Sequence, residues 1–457
     1  MTGGIIFKNL LDQSLDTGDP FLAAACHPYA DPRDLRALES ILFATTKLKR
    51  QFSGTAYTPP SVLHSLASTG DESIRLRIAR HPAAAPATLA ILARADAAED
   101  LGARVAGHRN TPCDILQDLY QKYRDSSGIR RALCNNPHTP RTLLRRLAVG
   151  AALAELKGIV HNPEADDALL RLCWEQEDIY LQAEAAAHPN CASDLLESAE
   201  SVTQAVVRRK LAQNPALPDT VLMRLLGDAE AQVRAAAVRS LSIPAIAELD
   251  LNGGDPSRQV RRDQARRTGL PLSWINRLAQ DDDSWVRRLV ARNKTTPEQT
   301  LYRLAGDHVF EVRRGVTRNP ECPAKLLERL AHDPHPWVRA GVALRGDIVE
   351  PLIIELSRDS DIDVLSALGK NPNTPLDVLK GITRHNSRDV RRSVILNANT
   401  PHRILCGLLE DTYPLNRVLL AGHRNLENVD LLELIRDPET VVRFAAAQAL
   451  AAHLCER

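Results

Sequence analysis

The chain has 457 residues, a net charge of +1 and 44% hydrophobic residues, a length that would otherwise suit about three globular domains. It contains no run of 18 apolar residues, and residues 1–19 lack the apolar centre of a signal peptide. We therefore expect a soluble, cytoplasmic protein that makes no use of a membrane.

An arginine returns every 26 residues in the second half of the chain, and we number each unit from this residue as position 0. With slips of one or two residues, the grid extends back to Phe21 and gives 17 units. A fixed period of this length predicts a solenoid, in which each unit is buried only by its neighbours. The positions are Phe21, Lys49, Arg75, Gly102, Arg130, Leu156, Gln182, Arg208, Arg234, Arg261, Arg287, Arg313, Arg339, Leu365, Arg391, Arg417 and Arg443.

Each unit is expected to contain two helices. Apolar residues at −1, +3 and +4 predict a short first helix of about two turns, which can be 3₁₀ in part. Asn-Pro or His-Pro at +6 and +7 ends it, because proline disfavours helix at the preceding residue. Thr-Pro at +9 and +10, as in Thr296-Pro297, then predicts an N-cap and first position for a second helix of about ten residues.

The repeated pattern V-R-x-x-V-A-x-N-P-x-T-P-x-x-L-L-x-x-L-A-x-D resembles the leucine-rich repeat variant family. It is matched closely at 286–307, 312–333 and 364–382. The resemblance implies an all-α, right-handed superhelical solenoid of HEAT-like units. We expect an N-terminal cap at 1–20 and one continuous solenoid at 21–457, degenerate over 21–207 and regular over 208–457.

An aspartate precedes seven of the position-0 arginines by six residues, for example Asp307 before Arg313. This spacing resembles the ladder between HEAT repeats, where each arginine bridges acidic groups of its own unit and the next. Networked, half-buried charge pairs of this kind fix how units stack. We therefore interpret the position-0 arginines as structural.

Positions +1 and +5 lie on one helical face and carry arginine pairs in three consecutive units. Residues 208–345 hold 24 Lys/Arg against 16 Asp/Glu, which makes this segment basic in a nearly neutral chain. Arginine forks suit phosphate or carboxylate groups, although a merely solvated face is the alternative. Tryptophans at −2 could stack bases or could staple the helix that follows. The candidate binding residues are Arg239, Arg262, Arg266, Arg288, Arg292, Arg314, Arg318, Trp285 and Trp337.

Asn or His at +6 forms a further column, which we interpret as bonding local backbone at a turn rather than lining a binding face. No catalytic constellation and no Cys-x-x-Cys pair is present among the eight cysteines. We therefore expect no enzyme activity, no cofactor and no metal. The sequence favours an interaction scaffold for a protein or peptide partner; the alternative is nucleic-acid or polyanion binding through repeats 239–345.

Overall fold

The computed structural model describes residues 50, 53–54, 60–68, 71–95, 99–247 and 254–455. Within these ranges every regular element is a helix and no strand occurs, so the all-α prediction is confirmed. Fifteen of the 17 units, from the one at Arg75 to the one at Arg443, have their position-0 residue in this part of the chain. The proposed cap at 1–20 and the positions Phe21 and Lys49 lie outside it.

Contacts divide the described residues into two compact bodies, with the boundary between Ser242 and Ile243. The continuous solenoid expected over 21–457 stays a prediction. The helices of the first body are α1 Pro60–Ala67, α2 Glu72–Ile78, α3 Pro86–Arg94, α4 Glu99–Gly107, α5 Cys113–Lys122, α6 Ser127–Asn135, α7 Arg141–Ala148, α8 Leu153–His161, α9 Asp167–Trp174, α10 Ile179–Ala187, α11 Ser193–Ser201, α12 Ala205–Leu211, α13 Asp219–Leu225 and α14 Ala231–Ser240.

The second body contains sixteen α-helices and one 3₁₀ segment within the described residues. They are α15 Ile243–Ala247, α16 Arg258–Arg266, α17 Leu272–Leu278, α18 Ser284–Arg292, α19 Glu298–Leu304, α20 Phe310–Thr317, α21 Ala324–Leu330, α22 Pro336–Ala343, α23 Glu350–Leu356, α24 Ile362–Lys370, α25 Leu376–Thr383, α26 Arg388–Ile395, α27 His402–Leu405, the 3₁₀ helix Cys406–Leu408, α28 Pro414–Ala421, α29 Asn428–Leu434 and α30 Thr440–Cys455.

Even-numbered helices carry position 0 and are the first helices of their units; odd-numbered helices are the second. Within each body, consecutive first helices pack extensively on one another, as α18 and α20 do. The predicted apolar positions form the core, since Val286, Val290, Leu301 and Leu304 are all at most 1% exposed. Each unit thus closes its core only against its neighbours.

Helix type and length differ from the prediction in two respects. The described first helices are α-helical, with nine residues in α18 and eight in α20. The second helix α19 has seven residues instead of ten. The 3₁₀ segment of the described chain follows α27, in a second helix rather than a first one. No described helix is both long and apolar enough to span a lipid bilayer.

The threonine at +9 has a different role from the predicted N-cap. Thr296 donates its hydroxyl to the carbonyl of Val290 at 2.6 Å, so it caps the end of the first helix. Pro297 is the N-cap of α19, and it accepts hydrogen bonds from the amides of Thr300 and Leu301. The same hydroxyl-to-carbonyl bond is made by Thr111, Thr139, Thr374 and Thr400.

The arginine ladder is present, with a pairing that the spacing alone did not give. Arg287 binds the carboxylate of Asp307 in the next unit through two hydrogen bonds of 2.7 and 3.0 Å. Its third nitrogen donates at 2.8 Å to the backbone carbonyl of Asp281, the aspartate of its own unit. The carboxylate partner is therefore twenty residues downstream, not six upstream. The same pairing joins Arg208–Asp228, Arg261–Asp281, Arg313–Asp333, Arg339–Asp359, Arg391–Asp411 and Arg417–Asp437.

The asparagine column also joins units. Asn319 accepts the amide of Glu321, which is the predicted local bond. Its amide group additionally donates to the carbonyls of Ala291 and Asn293 in the preceding unit, both at 2.8 Å. Arg345 occupies +6 in its own unit and replaces the asparagine by donating to two carbonyls of the unit before. Arg345, which extends the basic segment in the sequence, is therefore a structural residue.

We expect the Arg313→Ala substitution to lower the free energy of unfolding by about 1–3 kcal/mol, because it leaves the buried Asp333 carboxylate without its cation. Arg318→Ala is the control, since Arg318 is exposed and carries no ion pair, and we expect a change within about 0.5 kcal/mol. Urea unfolding followed by circular dichroism measures both. Equal losses from the two variants would contradict a ladder-specific role for position 0.

Stability should fall in acid through the ladder carboxylates. Burial opposes ionisation of Asp307 and Asp333, but the hydrogen bonds from Arg287 and Arg313 outweigh it and hold the pKa of each below the ordinary 3.8. The stabilisation is complete above the unfolded-state pKa and is lost as pH falls through the lowered folded-state pKa. Between about pH 5 and 3, the wild type should therefore lose more stability than Asp307→Asn/Asp333→Asn. Asp377→Asn, at a side chain 94% exposed, should follow the wild type.

Candidate anion-binding surface

Six of the predicted site residues lie on three consecutive first helices, and we call them the Arg–Trp surface. Helices α18 and α20 pack together, as do α20 and α22. A side-chain carbon at Gly315 of α20 would lie 3.0 Å from the Arg288 carbonyl, so only glycine permits this close approach without displacement. The Arg–Trp surface consists of Trp285, Arg288, Arg292, Arg314, Arg318 and Trp337.

Its four arginines form no ion pair with any described carboxylate. Arg292 and Arg318 are exposed, whereas Arg288 and Arg314 are half-buried. The Nε of Arg314 is buried and has no hydrogen-bond partner in the described structure. The four guanidinium groups make no side-chain hydrogen bonds to the described residues. A ligand with hydrogen-bond acceptors would therefore satisfy donors that the chain leaves unpaired.

The arginines are close enough to repel one another. Partial burial lowers the pKa of Arg314, and the positive charges of Arg288 and Arg292 lower it further. Burial and the charges of Arg314, Arg292 and Arg288 likewise lower the pKa of Arg318. Both groups keep their charge near neutral pH, since a guanidinium is effectively always protonated. The surface is therefore a local concentration of positive charge without ion pairs, and Asp363 is an acid whose charge offsets part of it at Arg314.

Each tryptophan lies beside an arginine and remains 44% exposed. The Arg288 guanidinium is 4.7 Å from the Trp285 ring centre, and that of Arg314 is 5.5 Å from Trp337. These are cation–π distances, which orient the guanidinium groups. The predicted neighbourhood of tryptophan and arginine is thus observed, with the aromatic rings contacting the arginines themselves.

Trp337 is also fixed by contacts with side chains outside the Arg–Trp surface. Its indole N–H donates to Asp363 at 2.7 Å. Its ring packs edge-to-face with Phe310 and with His335, and these two rings stack with their centres 3.6 Å apart. These contacts fix one position of the indole ring, so Trp337 is a rigid part of the surface.

Three predicted residues do not belong to the surface. Arg262 pairs with Asp283 at 2.7 Å, and its guanidinium is 5.8 Å from the Trp285 ring. Arg266 pairs with Asp263 at 2.8 Å. The carboxylates neutralise both arginines, so only two of the three expected arginine pairs at +1 and +5 remain without ion pairs. Arg239 is exposed on α14, in the other body of the chain.

One unit of the chain, residues 310–335, matches the family model described as leucine rich repeat variant. The predicted resemblance is therefore confirmed, and the matched unit contains two residues of the Arg–Trp surface, Arg314 and Arg318. No curated protein matches the chain.

Two solved structures are similar to the chain over much of its length. One is described as a leucine-rich repeat variant with a novel repetitive protein structural motif. It is 23% identical, covers 55% of this chain and 88% of its own, and has a TM-score of 0.33. The other is a homology model of the full-length AP-3 complex in an intermediate open conformation. It is 13% identical, covers 95% of this chain and 87% of that one, and has a TM-score of 0.24.

The sequence did not reveal Phe310, His335 and Asp363 as supports of the surface. Phe310 lies at position −3 of its unit, and Trp337 lies at position −2 of the next unit. These adjacent repeat positions are the sequence signal that could have predicted their contact. Asp363 lies at position −2, the same position as Trp337 one unit earlier. Residues at equal or adjacent positions of neighbouring units lie side by side in a solenoid.

Iodide should quench the fluorescence of the two exposed tryptophans more strongly than a neutral quencher does, because the arginines concentrate anions. The Arg288→Gln/Arg314→Gln variant should lower the iodide quenching constant about two-fold and leave the acrylamide constant unchanged. Trp274 is 7% exposed and contributes little to either constant. A parallel fall in both constants would instead indicate that the tryptophans had become less accessible.

Proposed function

We propose that this protein is a non-enzymatic binding scaffold whose Arg–Trp surface holds a short acidic segment of a partner protein. The observation that carries the proposal is four neighbouring arginines without carboxylate partners, flanked by two half-exposed tryptophans. Helical repeat folds are typical of interaction scaffolds. The cytoplasmic location expected from the sequence stays a prediction.

The chemistry of the surface suits carboxylates next to an apolar group. An arginine guanidinium can donate two parallel hydrogen bonds to one carboxylate, and a buried open donor such as the Arg314 Nε adds a reason to bind. Trp285 and Trp337 supply apolar area of the kind enriched at protein interfaces. An acidic segment with a neighbouring apolar side chain matches both features.

The extent of the charge favours a short segment over a long polyanion. On one side, Asp283 and Asp263 neutralise Arg262 and Arg266. On the other, positions +1 and +5 of the unit at Arg339 are Ala340 and Leu344 rather than arginines, and Asp363 of the following unit binds the Trp337 indole. A nucleic-acid track gains affinity from each additional phosphate that meets a cation. Here the uncompensated cations end after two units.

The test is fluorescence anisotropy of a labelled ten-residue peptide of Glu, Asp and Leu with the full-length protein, and of a labelled 20-nucleotide single-stranded DNA. We expect the peptide to bind, and Arg288→Gln/Arg292→Gln/Arg314→Gln/Arg318→Gln to weaken it at least about ten-fold. Raising the salt concentration should weaken binding by the wild type.

A charge-matched control replaces four basic residues outside the surface: Lys294→Gln/Arg303→Gln/Lys325→Gln/Arg329→Gln. All four are exposed and belong to the units at Arg287 and Arg313. The control should bind the peptide within about two-fold of the wild type if position, not net charge, matters. Equal losses in the two variants would contradict the proposal. A different outcome is that the wild type binds the DNA but not the peptide, and that only the four-arginine variant loses DNA binding. The ligand would then be nucleic acid rather than an acidic segment.

A further inference from the structure

A second cluster of polar side chains lies towards the C-terminal end of the regular repeats, between two consecutive second helices. His402 is the first residue of α27, and Cys406, four residues later, begins the 3₁₀ segment that follows it, so their side chains lie on one face. Asp430 of α29 faces them from the next unit. One ligand atom from each of the three lies within 4.8 Å of the other two.

The separations of these atoms are close to those of a tetrahedral metal centre. His402 Nε2 is 3.2 Å from the Cys406 sulfur and 2.7 Å from an Asp430 oxygen, and that sulfur is 3.9 Å from the other Asp430 oxygen. Zinc–ligand bonds of about 2.0–2.3 Å at tetrahedral angles place ligand atoms about 3.3–3.6 Å apart. Adjustments of about half an ångström therefore convert the cluster into a zinc-binding arrangement.

Glu427 occupies the position of an orienting partner. Its carboxylate is 3.6 Å from Nδ1 of His402, on the ring edge opposite the Asp430 contact. A carboxylate charge near Nδ1 favours the tautomer with the proton on that nitrogen, which leaves the Nε2 lone pair for a metal ion. Asp430 is 9% exposed at its side chain and His402 is 35% exposed, so the cluster is sheltered yet reachable from solvent.

We propose that His402, Cys406 and Asp430 bind one Zn²⁺ ion and that this ion joins two consecutive repeats. Imidazole and thiolate favour zinc over the oxygen-preferring Ca²⁺ and Mg²⁺. On binding, the Cys406 thiol releases its proton to solvent and forms the Zn–S bond, and Asp430 binds through a carboxylate oxygen. Two ligand charges then balance the ion, and a water molecule completes the coordination. The sequence-based expectation of no metal rested on the absence of Cys-x-x-Cys, a spacing that this ligand set does not use.

The site is tested with the full-length, reduced protein after a chelator has removed bound metal. Co²⁺ is added as a spectroscopic substitute for Zn²⁺. We expect one equivalent to give thiolate-to-cobalt charge-transfer absorption and Zn²⁺ to displace it. Cys406→Ser should abolish this absorption, whereas Cys113→Ser, at an exposed cysteine in the other body, should preserve it.

Three further measurements separate metal binding from structural damage. His402→Gln should remove the defined stoichiometry while circular dichroism shows an unchanged helix content. Glu427→Gln should lower the Zn²⁺ affinity about 10- to 100-fold, because it removes the carboxylate charge beside Nδ1 of His402. Zn²⁺ should raise the thermal midpoint of the wild type but not of Cys406→Ser. No thiolate absorption in the wild type, or equal absorption in Cys406→Ser, would overturn the proposal.

Discussion

The regular repeats depend on one interaction, the two-pronged hydrogen bond from an arginine to the aspartate of the next unit. Seven such pairs recur within the described residues, each with the side chains largely buried. A charge pair out of water is favourable only when the remaining hydrogen-bonding groups are satisfied. Here the third guanidinium nitrogen reaches a carbonyl and the aspartate also accepts a backbone amide, as Asp307 does from Val309. Each pair is therefore complete only when two units are stacked in register.

The same ladder explains why a neighbouring position is available for binding. Position 0 uses the aspartate of the following unit, so the arginines at +1 and +5 find an acid only where the sequence adds a further one. Asp263 in the unit of Arg261 and Asp283 at the start of the next unit are such additions, and they pair with Arg266 and Arg262. The arginines at +1 and +5 of the next two units have no such acid, and Arg288, Arg292, Arg314 and Arg318 remain without carboxylate partners. A ladder arginine at position 0 and a proposed binding arginine at +1 are thus adjacent residues of the same helix.

Much of the architecture could be predicted because a repeat makes each helix signal occur many times. The apolar positions and the existence of an arginine ladder both followed from spacing. The partner of each ladder arginine did not, because Asp307 and Asp333 are equivalent in a periodic sequence and only the stacking distinguishes them. For the same reason the local bond of Asn319 was predictable, whereas its two bonds to the preceding unit were not.

The residue types of the proposed binding surface could be predicted from the sequence, but which candidates lie together could be predicted only in part. Six of the nine candidates share one surface, and Arg262, Arg266 and Arg239 separate from it for reasons that need three-dimensional neighbours. His402, Cys406 and Asp430 meet across 28 residues of sequence, close to one repeat length. A spacing of that size becomes informative only when the period of the chain is known.

The vacant slot at Leu365 has a consequence for how the array comes apart. The following unit, that of Arg391, has His385 where the partner aspartate would be, so no ladder pair joins the two units. Instead, Gly369 lets α24 and α26 approach so closely that any side chain there would collide with Ser393. In a nearest-neighbour description, each junction contributes its own coupling energy. The coupling energy at this junction comes from packing rather than from a charge pair. Protonation of carboxylates therefore weakens the neighbouring junctions before it weakens this one. The block around α24 and α26 would then be the residual cooperative unit in acid.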